Sequence, residues 1–186
     1  MNDALALGIL AGGRGSRFCG RDKGWIEVDG VAQIRRLLQA LHAPERIMVS
    51  ANRHLSGYRN LGVEVVPDRW PDYPGPFAGL ASLFSILRDA ALLTVPVDAQ
   101  RLPPDFVASM RSCPGGEGLH VVVAEDDDGL QPLFARYPAA LAAHAVESFE
   151  AGTRSVRDWQ HRFPIHVCRF PGWRFGNLNS IEDMRI

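Results

Sequence analysis

Apolar positions along the chain fall into short runs separated by longer stretches with helical spacing. Ala4–Leu10, Ile47–Ser50, Val63–Val66, Leu92–Val97, Leu119–Ala124 and Leu133–Arg136 read as strands. Val31–Leu41, with Ile34, Leu37, Leu38 and Leu41 on one face, reads as a helix. So do Phe77–Ala90, with Leu80, Leu83, Phe84 and Leu87 on its apolar face, Asp105–Ser112 behind the entry turn at Pro103 and Pro104, and Leu141–Ala151. Strands alternating with helices at this spacing predict an α/β fold whose mostly parallel sheet is covered on both faces. Ligands in such sheets lie outside the carboxyl ends of the strands. The loops after Leu10, Val49, Val66 and Val97 are therefore expected to open on one edge.

The first of these loops carries the most chemistry. It reads Leu10-Ala11-Gly12-Gly13-Arg14-Gly15-Ser16-Arg17, then Gly20-Arg21-Asp22-Lys23-Gly24. Glycines let backbone N–H groups close around an anion, and Arg17 and Lys23 bring positive charge to the same place, as a phosphate-bearing ligand needs. Two familiar phosphate loops fail on named residues. Gly15 and Gly20 have the separation of a Walker A loop, but Arg21-Asp22 follows where Lys-Ser/Thr is required. Gly13-Arg14-Gly15 begins a dinucleotide fingerprint, but Phe18 occupies the place of its third glycine. On these residues alone, a plain glycine turn with surface charge stays open.

At 186 residues the chain is long enough for one domain, 1–186, with its own core. Its formal net charge of -1 argues against a general nucleic-acid binder. Cys19, Cys113 and Cys168 are odd in number and widely spaced, so neither a disulfide framework nor a zinc site is supported, and the histidines are scattered without metal spacing. No apolar run approaches the length of a membrane span, and the N-terminus does not read as a signal peptide; a cytoplasmic protein is expected. Glu125-Asp126-Asp127-Asp128-Gly129 reads as a solvated acidic turn. Trp159, Trp173 and Phe175 read as core or rim packing rather than as the walls of a ligand site.

The full stretch Leu-Ala-Gly-Gly-x-x-x-Arg-x-x-Gly-x-Asp-Lys is far more restrictive than a glycine turn. It resembles the signature of nucleotidyltransferases that move NMP from an NTP, most closely the molybdenum cofactor guanylyltransferases. Further matching blocks follow in order: Ser50-Ala51-Asn52-Arg53-His54, Pro67-Asp68, Tyr73-Pro74-Gly75-Pro76-Phe77-Ala78-Gly79, Val97-Asp98 with Leu102-Pro103-Pro104-Asp105, Gln131-Pro132-Leu133, and Asn177-Leu178-Asn179-Ser180. The resemblance implies a Rossmann-like three-layer sandwich of the nucleotide-diphospho-sugar transferase type. It also implies transfer of GMP from GTP to the phosphate of molybdopterin or Mo-molybdopterin, with release of pyrophosphate. Partners implied with it are other molybdenum cofactor biosynthesis proteins and molybdoenzyme acceptors, with neither nucleic acid nor membrane.

The same resemblance distributes roles. Leu10, Ala11, Gly12, Gly13, Gly15, Lys23, Ser50, Asn52, Asp68, Gly79 and Asp98 would bind the nucleotide, with Arg17, Lys23 and Asp98 catalytic. Asp98 and Asn179 would hold magnesium, or manganese in its place, while Gln131 and Asn177 would face the pterin. Asp98 ends the apolar run Leu92–Val97, where one carboxylate suffices for a magnesium that also takes phosphate and water oxygens. Plainer roles fit these positions too: a cap for Asp98, a turn for Asp68 beside Pro67, an N-cap for Asn179, and a stiff helix entry for the loop that carries Gly75 and Gly79. The chain departs from the family pattern at two points. Cys-Asp-x-Pro becomes Val97-Asp98-Ala99-Gln100, and Ser50 stands where asparagine is frequent. The alternatives are molybdopterin cytidylyltransferases, which tend to carry Leu-Ala-Ala-Gly, sugar-phosphate nucleotidyltransferases, and a non-catalytic nucleotide-binding protein.

Overall fold

Strand β1 (Leu5–Leu10) is buried at every position because it has a strand on each side and helices on both faces. The computed structural model describes residues 4–12, 21–41, 46–70, 75–87, 89–115 and 118–176. β4 (Arg46–Ser50) and β6 (Ala91–Pro96) flank β1 in parallel, and β5 (Glu64–Val66) extends the parallel set beyond β4. On the other side β8 (Gly129–Tyr137) pairs antiparallel with both β6 and β7 (Val121–Asp126), and β9 (Ile165–Arg169) runs parallel to β7. The seven-stranded order is β5-β4-β1-β6-β8-β7-β9.

Alternate side chains of β1 feed two cores, as the strand period of two requires. Leu7 and Ile9 join a cluster with α1 (Gln33–Ala40), α2 (Leu55–Arg59) and α4 (Phe106–Ser112). Ala6 and Leu10 join the opposite cluster, with α3 (Pro76–Ile86), α5 (Ala142–Glu150) and α6 (Val156–Gln160). The result is the three-layer α/β sandwich expected. Helix α3 is buried at every position from Phe77 to Phe84, since it lies between the sheet and the α5/α6 pair. The Phe77 ring stands 5.9 Å from Phe149 and 5.3 Å from Trp159. A Cβ on Gly8 would come within 2.7 Å of Leu83 Cδ1, so the bare residue in mid-strand lets α3 close on the sheet. Trp159 and Phe175 are core residues, as read.

The differences from the pattern reading have local causes. The helix expected from Val31 begins at Gln33, because Val31–Ala32 is strand β3, paired antiparallel with β2 (Glu27–Val28). Asp29-Gly30 between them has positive φ at both residues, 54° and 74°, the backbone of a tight hairpin turn. The helix expected to run to Ala90 stops at Ile86, because the chain must reverse before Ala91, whose N–H donates to Ala4 O at the start of β6. The strand expected at Leu133–Arg136 spans Gly129–Tyr137, with Pro132 inside it. The β7–β8 register shifts between Val123 and Ala124, and a bulge of this kind accommodates a residue without an N–H. The apolar pattern does not predict helices α2 and α6 or strand β9.

The acidic segment forms the β7–β8 turn, but not as a wholly solvated tip. Asp126 is buried, with 6% of its surface exposed, and its carboxylate accepts three N–H groups. Cys113 and Cys168 are free thiols, with burial pushing that of Cys168 up to about 12. No described helix is long and apolar enough to cross a membrane.

Candidate active site

The parallel strands β5, β4, β1 and β6 end side by side. From β1 the chain moves outward to β4 and β5, then returns on the far side of β1 as β6, and such a reversal opens a crevice at the carboxyl ends. A cavity of about 210 Å³ lies there. Leu10, Ala11 and Gly12 wall it from the end of β1, Val97 and Asp98 from the turn after β6, and Lys23 and Leu133 from either side. Leu133 has a physical reason to be there. The β6–β8 ladder ends at Thr94 opposite Ala135, where the Thr94 hydroxyl donates to Leu133 O at 2.8 Å. Past that point the described β6–β8 pairing ends, and Pro96 and Leu133 both line the cavity. Gln160, buried on α6, fixes the bulge by donating to Pro132 O at 2.8 Å and the Tyr137 hydroxyl at 2.7 Å.

Lys23 and Asp98, 75 residues apart in sequence, meet in this cavity with Nζ 2.6 Å from Oδ2. Each is held from behind. Lys23 opens a short 3-10 turn, Lys23–Trp25, whose N-cap is Asp22. The Asp22 carboxylate is buried, accepting from Gly24 N at 3.0 Å and from the Tyr58 hydroxyl at 2.8 Å, with His54 Nδ1 at 3.4 Å. Burial, then the neighbouring Asp22 charge, pushes the Tyr58 hydroxyl well above the ordinary range, so it stays a donor. Sequence reading gave Asp22 no role of its own; an aspartate two residues before a glycine amide at a helix start was the available signal.

Behind Asp98, the Ala99 N–H donates to Pro96 O at 3.2 Å and the buried Gln33 side chain donates to Ala99 O. Gln100 N and Arg101 N both donate to Phe175 O at 3.0 Å. These bonds fix a turn that the family pattern stiffens with proline.

A second polar group adjoins the cavity at Gly12. A Cβ on Gly12 would stand 3.3 Å from Asp68 Oδ2 and 3.5 Å from Ser50 Oγ. The Asp68 carboxylate accepts from Ser50 Oγ at 3.0 Å and Asn52 Nδ2 at 2.7 Å, and Asn52 Oδ1 accepts from Asp68 N at 2.9 Å. Ser50 is fully buried, so its hydroxyl orients Asp68 rather than presenting itself to a ligand. Gly79 does not open on the cavity either: a Cβ there would lie 2.6 Å from Ser50 Oγ, which makes it a packing glycine between α3 and β4. Gly75 enters α3 with φ +98° ahead of Pro76 at the first helical turn.

The structure thus gathers Leu10, Ala11, Gly12, Lys23 and Asp98 around one cavity, with Ser50, Asn52 and Asp68 beside it. Gln131 donates to Asp126 Oδ1 at 2.9 Å and is tied to the acidic turn. Gly13, Gly15, Arg17, Asn177 and Asn179 lie outside the described residues. Among the described residues no three His, Cys, Asp or Glu side chains converge on one point. The carboxylate among the residues lining the cavity is Asp98, and one carboxylate would suit a magnesium ion whose other ligands were phosphate and water oxygens.

Known proteins share the sequence pattern and the fold of this chain. Residues 7–164 match the model of the MobA-like NTP transferase domain. The molybdenum cofactor guanylyltransferase of Cupriavidus pinatubonensis is 33% identical, over 95% of this chain and 92% of its own. The molybdopterin-guanine dinucleotide biosynthesis protein A of Archaeoglobus fulgidus superposes with a TM-score of 0.73 at 18% identity, covering 97% of this chain and 95% of its own. A Mycobacterium tuberculosis protein solved in complex with manganese superposes with a TM-score of 0.71 at 13% identity, covering 100% and 97%. With the glycine-rich sequence after β1, the strand-end carboxylate and these matches in agreement, the chain belongs to the MobA-like NTP transferase family.

Proposed function

We propose that this protein is a magnesium-dependent guanylyltransferase that moves GMP from GTP onto the terminal phosphate of molybdopterin. The observation that carries the reading is the convergence of Lys23 and Asp98 on a cavity floored by Gly12. Nucleotidyl transfer needs charge stabilised on the α-phosphoryl oxygens and on the leaving pyrophosphate, through fixed cations and positioning. In the free protein Lys23 is paired with Asp98. With a nucleotide bound, the ammonium would turn from that carboxylate to phosphate oxygens, and Asp98 would be the residue that holds the cation. A magnesium ion held there would neutralise phosphate charge; a fold neighbour has been solved with manganese, which is compatible with either ion.

The backbone at Ala11 and Gly12 bounds the phosphates. Asp68, oriented by Ser50 and Asn52, supplies an acceptor for nucleoside donor groups. The pterin phosphate oxygen attacks the α-phosphorus while the bond from that phosphorus to the bridging oxygen breaks and pyrophosphate departs. No covalent enzyme intermediate is needed, so the chain's contribution is orientation and electrostatics. We place the reaction in the cytoplasm, with other cofactor-biosynthesis proteins and molybdoenzymes as partners.

The test is titration with GTP and CTP, with and without magnesium, on the wild type and Asp98→Asn, followed by pyrophosphate release with molybdopterin. Magnesium-dependent GTP binding and turnover, lost in Asp98→Asn, are expected. Affinity indifferent to metal and to the substitution would remove Asp98 from the site, and preference for CTP would make the enzyme a cytidylyltransferase.

A further inference from the structure

Asp126 is a buried carboxylate that the reaction does not use. An ionised group out of water costs several kcal/mol unless its lone pairs are satisfied, and here N–H donors satisfy it. Oδ1 accepts from Asp128 N at 3.0 Å and Gln131 Nε2 at 2.9 Å, and Oδ2 accepts from Phe175 N at 2.8 Å. The first closes the β7–β8 turn. The last reaches across 49 residues to a segment that the same turn grips again, through Asp127 N to Trp173 O at 2.9 Å and Gly172 N to Asp127 Oδ1 at 3.0 Å.

Phe175 is held on its other side too. The residue is 1% exposed, and its ring packs on Phe106, Phe134 and Phe170 with centroids 5.5, 4.8 and 5.5 Å away. Its carbonyl receives the N–H groups of both Gln100 and Arg101. One residue therefore joins the acidic turn to the turn that carries Asp98, two positions from that carboxylate. Gln33 grips the same turn at Ala99 O.

We propose that Asp126 is a positioning residue for Asp98, acting through the backbone of Phe175. The inference rests on the placement of Asp98 in the reacting site. Asp126 touches no substrate; it fixes the register in which the Phe175 carbonyl meets the 98–101 turn. Without it the turn keeps its bonds to Gln33 and Pro96, but the Phe175 carbonyl, then held only by ring packing and the Asp127 contacts, loses its fixed register, and Asp98 shifts relative to Lys23 and Gly12. In this chain the clamp takes the place of a proline after Asp98.

The experiment compares full-length wild type, Asp126→Ala, Asp126→Asn and Asp98→Asn. It measures backbone hydrogen exchange at Gln100 and Arg101 and pyrophosphate release as magnesium and GTP are varied separately. Asp126→Ala is expected to raise exchange at those two amides about 10-fold, while β1 and β6 amides are unchanged. Its kcat should fall about 10-fold and its magnesium half-saturation rise several-fold, with KM for GTP at saturating metal within about 2-fold of wild type. Asp126→Asn turns one acceptor into a donor and should fall between the two. Should the alanine variant not fold, the asparagine variant decides on the same readouts. Variants that only melt earlier, with kcat, metal dependence and amide protection unchanged, would overturn the proposal. Asp98→Asn separates the two levels: if it retains full turnover, the site assignment fails, whatever Asp126 does.

Discussion

Gly79 faces Ser50 at a distance that no side chain tolerates, and Gly79→Ala shows what that contact does. The new Cβ would lie 2.6 Å from Ser50 Oγ and 3.3 Å from Leu10 Cδ2. Both neighbours are buried, so something must move. If α3 retreats, its packing on β1 and β4 loosens, at about 1–3 kcal/mol for an overpacked core. If Ser50 rotates, its bond to the Asp68 carboxylate is lost, at about 1.5–3 kcal/mol for a hydrogen bond to a charged group. Alanine returns about 1 kcal/mol through helix propensity. A net destabilisation of about 0–2 kcal/mol is expected, measured by urea unfolding, with GTP affinity weakened several-fold through misoriented Asp68. In a Ser50→Ala background the 2.6 Å contact is absent, so the same substitution should cost at least about 1 kcal/mol less. A stabilising Gly79→Ala, or an equal cost in both backgrounds, would refute the packing role.

Lys23→Met should keep the fold and lower turnover by about 10²-fold, as loss of a group stabilising transition-state charge does; near-normal kcat would exclude Lys23 from the reaction. Arg136 donates to Met110 O, Cys113 O and Gly115 O at 2.7–2.8 Å, tying the end of α4 to β8. Arg136→Lys, with a point charge in place of a planar fork, should lower urea stability by roughly 2 kcal/mol or more while leaving KM for GTP unchanged. Tyr58 and Tyr137 are both pushed upward by burial, so in this alkaline range their phenols ionise in the unfolded chain first. Stability is intact below the unfolded value and should fall as pH rises above about 10. Tyr58→Phe should make that decline shallower, and an unchanged slope would contradict the assignment.

Much of this architecture was legible because β1, β4 and β6 are apolar at consecutive positions, as buried parallel strands are. The cation loop and Asp98 were legible for a related reason: charge placed where an apolar run stops marks the ligand edge. What escaped reading depends on partners distant in sequence. Asp126 looked like one member of a solvated run, since nothing local announces a bond to Phe175. Gly79 sits in a block that invites a ligand role, and only the arrival of Ser50 from β4 shows that it is there for packing. Asp22 works through Tyr58 across 36 residues. The β2–β3 hairpin was the exception, for Asp29-Gly30 is a local turn signal that the helical spacing beyond it obscured.

Whether the cavity at Gly12, Lys23 and Asp98 transfers a nucleotidyl group or merely holds one is decided by where the α-phosphate of GTP ends up. Incubation of the purified protein with molybdopterin, magnesium and GTP labelled at the α-phosphate tests it most directly. Label is expected in molybdopterin guanine dinucleotide with one pyrophosphate released per label transferred, none retained on the protein, and no transfer by Asp98→Asn. Label remaining in GTP, or bound covalently to the chain, would contradict it.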